Sequence, residues 1–360
     1  MIGRTLLRYL FGRQLAMIGW LLLGVVALIV MIDLTETTSR FGDSPGFTLP
    51  RALVLVALHL PPLLEQVLPF AVLLASMIVL VRLNRRYELV VARSVGVSAW
   101  QFLLPVAAAS FLVGALSLVT LNPLAAACLR WEDALQSQFF GRVSTRDDRR
   151  VWLRQLSDDG RYVIAATSAL PDGTGLRDAT FYEIAEDDAM RGRIDAPLAL
   201  LEPGEWVLDG AVRSAAGSPP ERLGTVRIAT AVLPETVAQR ATVPEATPFP
   251  ALPARIDGLR RLGLPDAPFA MQLHSLLTRP VLFVAMTLIA GTVTLRFARF
   301  GQARTVVLGG LAAAFALYVA TVLVRAFGAA GLVAPVVAAW MPVLAALLFG
   351  AAVLLRTEDG

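Results

Sequence analysis

Six stretches of the chain are apolar for long enough to cross a bilayer, which takes about 20 residues of helix. The first, Leu15 to Ile32, carries no charge and follows Arg4, Arg8 and Arg13. It closes on Met31-Ile32-Asp33-Leu34, with no run of small residues for cleavage, so an uncleaved first span is expected. The second, Ala52 to Val81, is interrupted by Pro61-Pro62 and Glu65, and the third covers Ala99 to Leu129. Three more lie near Phe269 to Leu295, Thr305 to Val324 and Val333 to Leu355.

Between the two sets the pattern changes. Short apolar stretches (Val151-Trp152-Leu153, Tyr162-Val163-Ile164, Thr180-Phe181-Tyr182, Trp206-Val207-Leu208, Val226-Arg227-Ile228) alternate with turn signals at Asp159-Gly160, Asp172-Gly173 and Asp209-Gly210. Short strands between such turns predict an antiparallel all-β domain. A connector holding Pro244, Pro248, Pro250 and Pro253 then leads to an amphipathic stretch, Ile256 to Leu262. The expected fold is an α-helical membrane protein with six transmembrane helices and an inserted all-β domain. Its divisions are residues 1–129, 130–268 and 269–360.

Composition supports a membrane protein: 56% of residues are hydrophobic and 17% charged, against about 45–50% and 25% in soluble domains. Mean hydropathy is +0.65. All 32 basic residues are arginine, because the chain has no lysine. That removes a nucleotide-binding P-loop, which needs lysine on the phosphates, and Schiff-base chemistry. Cys128 is alone and the two histidines, His59 and His274, are far apart, which leaves neither an internal disulfide nor a zinc motif. No cofactor is expected, and no nucleophile–base motif points to an enzyme.

Charge distribution sets an expected orientation, since arginine concentrates in short cytoplasmic loops. The loop Arg82 to Arg93 holds four arginines and one acid, and the loop Arg296 to Arg304 three arginines and none. The loop Asp33 to Arg51 holds two arginines against three acids. Both termini are therefore expected in the cytoplasm and the β domain outside. Residues 130–268 carry 17 arginines and 21 acids, net −4, while the rest carries 15 against 7, net +8. The basic pI of 9.8 thus reflects membrane edges and not a nucleic-acid surface.

Several residues are candidates for chemistry. In the 82–98 loop a short helix, about 84–96, puts Leu89, Ala92 and Val95 on one face behind Arg85 and Arg86, with Glu88 the lone acid and Gly96 a stop. It suits either insertion into a partner protein or attachment to anionic lipid heads. Glu65 is an acid inside a span, either functional or reaching the interface, and Arg279 before Pro280 is read the same way. Arg40, Arg51, Arg130 and Arg325 fall near the outer ends of four spans, as phosphate ligands or as interface anchors beside Trp131 and Trp340. His59 and His274 read as structural.

Three stretches of this layout resemble the LptF/LptG lipopolysaccharide export permeases: Ile32-Asp33-Leu34; Glu65-Gln66-Val67-Leu68-Pro69-Phe70 on through Glu88-Leu89-Val90-Val91 to Gly96-Val97-Ser98; and Leu276 to Ala290 around Arg279-Pro280. The wording of the second stretch is nearer to the LptG branch. The resemblance implies a permease subunit of an ABC transporter that takes lipopolysaccharide from the inner membrane. The external domain would be a jellyroll joined to similar ones of LptC and LptA. The loop helix (Arg85, Arg86, Glu88, Leu89, Arg93) would seat in the ATPase LptB, and an LptF-like permease would complete the cavity. Arg130 would face the lipid A phosphates, with Arg40, Arg325 and Glu65 as further substrate-facing residues. Where LptG relatives carry lysines after the first-span Asp, this chain has Thr35-Glu36-Thr37, and Arg40 is the nearest base. The rival readings are an ABC exporter of lipoproteins or macrolides, which typically has four spans, and a structural anchor for envelope assembly.

Overall fold

A computed structural model describes residues 4–42, 47–88, 91, 94, 96, 98–140, 151–157, 160–170, 173–184, 190–215, 219–234, 237, 243–261, 265–297 and 303–358. The chain divides into two compact units, one of residues Met1–Glu132 with Pro244–Gly360 and one of Asp133–Val243. The second is narrower than the polar stretch 130–268. The reason lies in α5 (Leu252–Arg261), whose Leu252, Ile256 and Leu259 bury against Phe269 and Leu276 of the helical unit.

The long helices are α1 (Arg4–Phe41), α2 (Leu49–Arg85), α3 (Ala99–Leu116), α4 (Asn122–Phe140), α6 (Ala267–Phe297), α7 (Ala303–Ala329) and α8 (Pro335–Glu358), with α4 in the helical unit as far as Glu132. A π-helical turn, Ser117–Leu121, joins α3 to α4 without a break. Among the described residues six helical stretches are long and apolar enough to span a membrane, and Ala99–Glu132 forms the third. At about 1.5 Å per residue α1 and α2 each reach about 55 Å, well past a hydrocarbon layer of about 30 Å. Their charged ends therefore belong to the same rigid helices as the apolar spans. Pro61, Pro62 and Pro69 sit within α2, so the proline pair read as an interruption does not stop the helix.

Several apolar clusters hold the bundle, the central one around Leu73, Met77, Phe283 and Val343. Leu10, Leu80, Leu83, Phe102, Leu103, Leu288 and Leu354 join α1, α2, α3, α6 and α8 at one end. Met271 of α6 meets Ala338 and Ala339 of α8 at the other. Helices α3 and α6 approach each other closely at Gly114, where a Cβ would lie 2.6 Å from the Pro280 Cα. Backbone cannot yield as a side-chain tip can. Gly114→Ala is therefore expected to cost about 1–3 kcal/mol, read as a lower thermal midpoint of the detergent-purified chain. An unchanged midpoint would mean that the two helices separate freely.

The second unit holds six strands: β1 (Val151–Ser157), β2 (Gly160–Ala169), β3 (Gly175–Ile184), β4 (Met190–Glu202), β5 (Glu205–Ala215) and β6 (Glu221–Ala229). All neighbours pair antiparallel in sequence order, β1 through β6. The sheet also curls on itself. Gln155 of β1 accepts from Trp206 Nε1 of β5 at 3.2 Å and from Thr230 Oγ1, just after β6, at 2.6 Å. Strands at opposite ends of the order thus meet around one core of Ile164, Phe181, Trp206 and Leu208.

Strand β4 has no counterpart among the predicted stretches, and Asp209-Gly210 is not a turn. Pro197 in the middle of β4 has no N–H for the ladder. Asp178 on β3 (φ 45°) and Gly210 on β5 (φ 65°) take up positive φ beside it, and a Cβ on Gly210 would lie 3.6 Å from the Pro197 ring. The pairing of β5 with β6 shifts register there, between Leu208 and Ala211. What looked like a hairpin signal is a bulge of β5 against β6, while β5 stays in register with β4, and the actual β4–β5 turn uses Gly204 at φ 89°.

Candidate functional sites at the two ends of the helical unit

The loop after α2 begins with a change of direction. Arg86 N–H donates to Arg82 O at 3.1 Å and Tyr87 N–H to Asn84 O at 3.0 Å, closing α2. Tyr87 then sits at φ 59°, a left-handed conformation that costs a non-glycine residue about 1–3 kcal/mol. From it a new helical turn starts, with Val91 N–H donating to Tyr87 O at 2.9 Å and Ser94 Oγ to Val91 O at 2.8 Å. Gly96, at φ 85°, supplies the stop.

Ser98 then opens α3 with a capping box: Gln101 N–H donates to its Oγ, and its own N–H to Gln101 Oε1, both at 3.3 Å. The Gly-x-Ser spelling of this stretch is thus a helix stop followed by a helix start. Arg85 and Arg86 are exposed, Tyr87 is strongly exposed at 70%, and Glu88 is partly buried. Leu89 and Arg93 lie outside the described residues.

Glu88 is also paired: its Oε1 lies 3.6 Å from Nη1 of Arg13 on α1. One residue further along α1, Gln14 is fully buried and donates to Ser76 Oγ of α2 at 2.8 Å and Ser110 Oγ of α3 at 3.2 Å. Thr287 of α6 completes the group, donating to Ser110 Oγ at 2.8 Å. Four helices therefore share one polar cluster inside an otherwise apolar bundle. Sequence reading passed over these residues because single Gln, Ser and Thr positions carry no spacing signal.

At the opposite ends of the spans the charged residues form pairs. Glu65 of α2 and Arg279 of α6 meet, with Oε1 to Nη1 at 3.0 Å and Arg279 Nη2 donating to Oε2 at 3.3 Å. Both side chains are 12% exposed, so the acid inside the span has a buried counter-charge. Asp33 of α1 meets His59 of α2, Oδ1 to Nδ1 at 2.9 Å, which gives the histidine a partner its sequence context did not reveal. Arg325, near the end of α7, has a buried Nε with no hydrogen-bond partner, and Arg279 and Glu245 are among the charges acting on it.

Arg130 donates to the Ala246 carbonyl at 2.6 Å, leaving the rest of its donors uncommitted to that bond. Arg40 pairs with Glu36 one turn before it at 2.7 Å. These two line a shallow groove on α1 with Met31, Ile32, Thr35 and Ser39. The structure thus joins Glu65 to Arg279 and places Arg325 within electrostatic reach of that pair. It ties Arg130 to the 3-10 turn Pro244–Ala246 and Arg40 to its own helix.

No match to the chain was found among curated proteins. The sequence profile of the lipopolysaccharide export system permeases LptF/LptG matches residues 8–356, essentially the whole of both units, and the chain belongs to that family.

Proposed function

We propose that this lipopolysaccharide export permease is one non-catalytic half of an ABC transporter, nearer to LptG, driven by an LptB-like ATPase dimer. ATP is hydrolysed on the separate chain, and the absence of lysine here is in keeping with that division. Arg85, Arg86, Glu88, Leu89 and Arg93 belong to the coupling helix, about 84–96, that seats in the ATPase. What supports this reading is the set of described residues in this loop: the left-handed turn at Tyr87, the helical bond from Val91 back to it, the positive φ of Gly96 and the capping box at Ser98 that opens α3. A loop that only anchors lipid needs none of these features.

The two least buried spans are those of α1 and α7. Their exposed apolar residues, among them Trp20, Leu23, Leu308 and Phe315, suit an LptF-like second permease and the acyl chains between them. Both termini lie in the cytoplasm and the β unit in the periplasm, where its curled sheet continues into LptC-like and LptA-like jellyrolls. Arg130, Arg40 and Arg325 face the anionic head of the lipid, and Glu65 sets the charge of that region through Arg279. Moving acyl chains through water costs about 0.8 kcal/mol per CH2, which favours a shielded apolar route from bundle to sheet.

Glu88→Ala tests the coupling role. It is expected to weaken ATPase association by about 2 kcal/mol, roughly thirtyfold, in pull-down of the assembled complex, and to abolish ATP-driven lipopolysaccharide release. Normal association together with normal release would overturn it. A structural anchor, the rival reading, would leave lipopolysaccharide export intact when the chain is depleted.

A further inference from the structure

The ion pair between Arg13 and Glu88 has a consequence for how the loop helix acts on the bundle. Glu88 follows directly on the left-handed turn at Tyr87, so its position relative to α2 is set by one strained residue. The arginine it pairs with belongs to a different span. Arg13 is held in turn: it contacts the Tyr9 hydroxyl one helical turn earlier, and its guanidinium carbon lies 5.4 Å from the Tyr9 ring centroid. The arginine side chain is 19% exposed and the glutamate 33%, so water reaches the pair only in part. Immediately after Arg13, Gln14 binds Ser76 and Ser110, which Thr287 joins from α6. Two consecutive residues of α1 therefore face two ways, Arg13 to the loop helix and Gln14 to the polar cluster of α2, α3 and α6.

We propose that Arg13 is a positioning residue for Glu88, through which displacement of the loop helix is passed into α1 and, by way of Gln14, into the other spans. This rests on the coupling role of Glu88 proposed above. A helix seated in an ATPase but tethered only through Tyr87 could pivot without moving the bundle. The ion pair removes that freedom by joining the loop helix to a second span. Arg13 is therefore required for the efficiency of coupling and not for the docking of the ATPase.

The test uses the full complex in proteoliposomes containing lipopolysaccharide, and reads lipid released per ATP hydrolysed. Arg13→Ala is expected to leave ATPase association and chain yield at wild-type levels. It should lower the lipid-to-ATP ratio about three- to fivefold, the weight of a part-exposed ion pair. Arg13→Lys, which keeps the charge, is expected to recover most of it. The Arg13→Ala/Glu88→Ala double variant should have the ratio of Glu88→Ala alone, because Arg13 acts only through Glu88. A wild-type ratio in Arg13→Ala, with Glu88→Ala defective, overturns the role of Arg13 and leaves the coupling reading standing. A Glu88→Ala complex with normal ratio and normal association overturns both. Loss of yield or thermal stability in Arg13→Ala that Arg13→Lys does not reverse would make the residue merely structural, against the proposal.

Discussion

Glu65→Leu is expected to destabilise the helical unit by about 3–5 kcal/mol, the cost of leaving one partner of a buried ion pair without the other. Arg279 would keep its charge at a site where its side chain is only 12% exposed. Arg325, a like charge that acts on Arg279, would then repel it with the Glu65 charge gone. The measurement is the thermal midpoint of the purified chain in detergent, supported by the amount recovered from membranes. The Glu65→Leu/Arg279→Met double variant removes both charges while keeping their bulk, and is expected to recover most of the loss. A single variant as stable as the parent would mean that the pair is solvated like a surface bridge, which contributes about 0–1 kcal/mol.

Trp206→Ala is expected to cost the β unit a similar amount, about 3–5 kcal/mol. The indole is fully buried and meets the Phe181 ring edge-on, with centroids 6.0 Å apart. It also donates to Gln155, the residue that connects the first strand to the last two. Truncation therefore opens a cavity and loosens the closure of the curl at once. Because the chain holds arginine and no lysine, trypsin cuts it only after arginine. Faster cleavage within β1 to β6 in the intact protein, with the helical fragments unaffected, is the outcome that supports this. Equal cleavage rates would place the stability of the curl elsewhere.

Much of this architecture is legible without coordinates. A span announces itself by about 20 apolar residues whatever its neighbours are, because transfer into hydrocarbon sums over residues independently. The change to short alternating stretches after residue 130 likewise marks a sheet by its period of two. Strand β4 escaped for a local reason: Arg191, Arg193, Asp195 and Pro197 occupy its outward positions and leave only Gly192, Ile194 and Ala196 as a short buried face between them, while the positive-φ residues opposite that proline, Asp178 and Gly210, belong to β3 and β5. Asp209-Gly210 misled for the same cause, since the same dipeptide serves a hairpin or a bulge and only the neighbouring strand decides which.

The candidate sites divide similarly. Glu88 stood out as the lone acid in a basic loop, and Glu65 as an acid within a span, from composition and position alone. Their partners did not. Arg279 is 214 positions from Glu65, and Gln14 meets residues 62 and 96 positions away. By itself, then, the order of residues determined the number of spans, the site of the β insertion and the place where the charges collect, because each depends on quantities that add along the chain. Only the tertiary structure decided which charge faces which, and that the neighbouring Arg13 and Gln14 of α1 meet Glu88 and the buried hydroxyls of α2 and α3. Such pairings depend on how each helix is rotated and how closely glycines such as Gly114 let neighbours approach, and no local stretch of sequence carries that information.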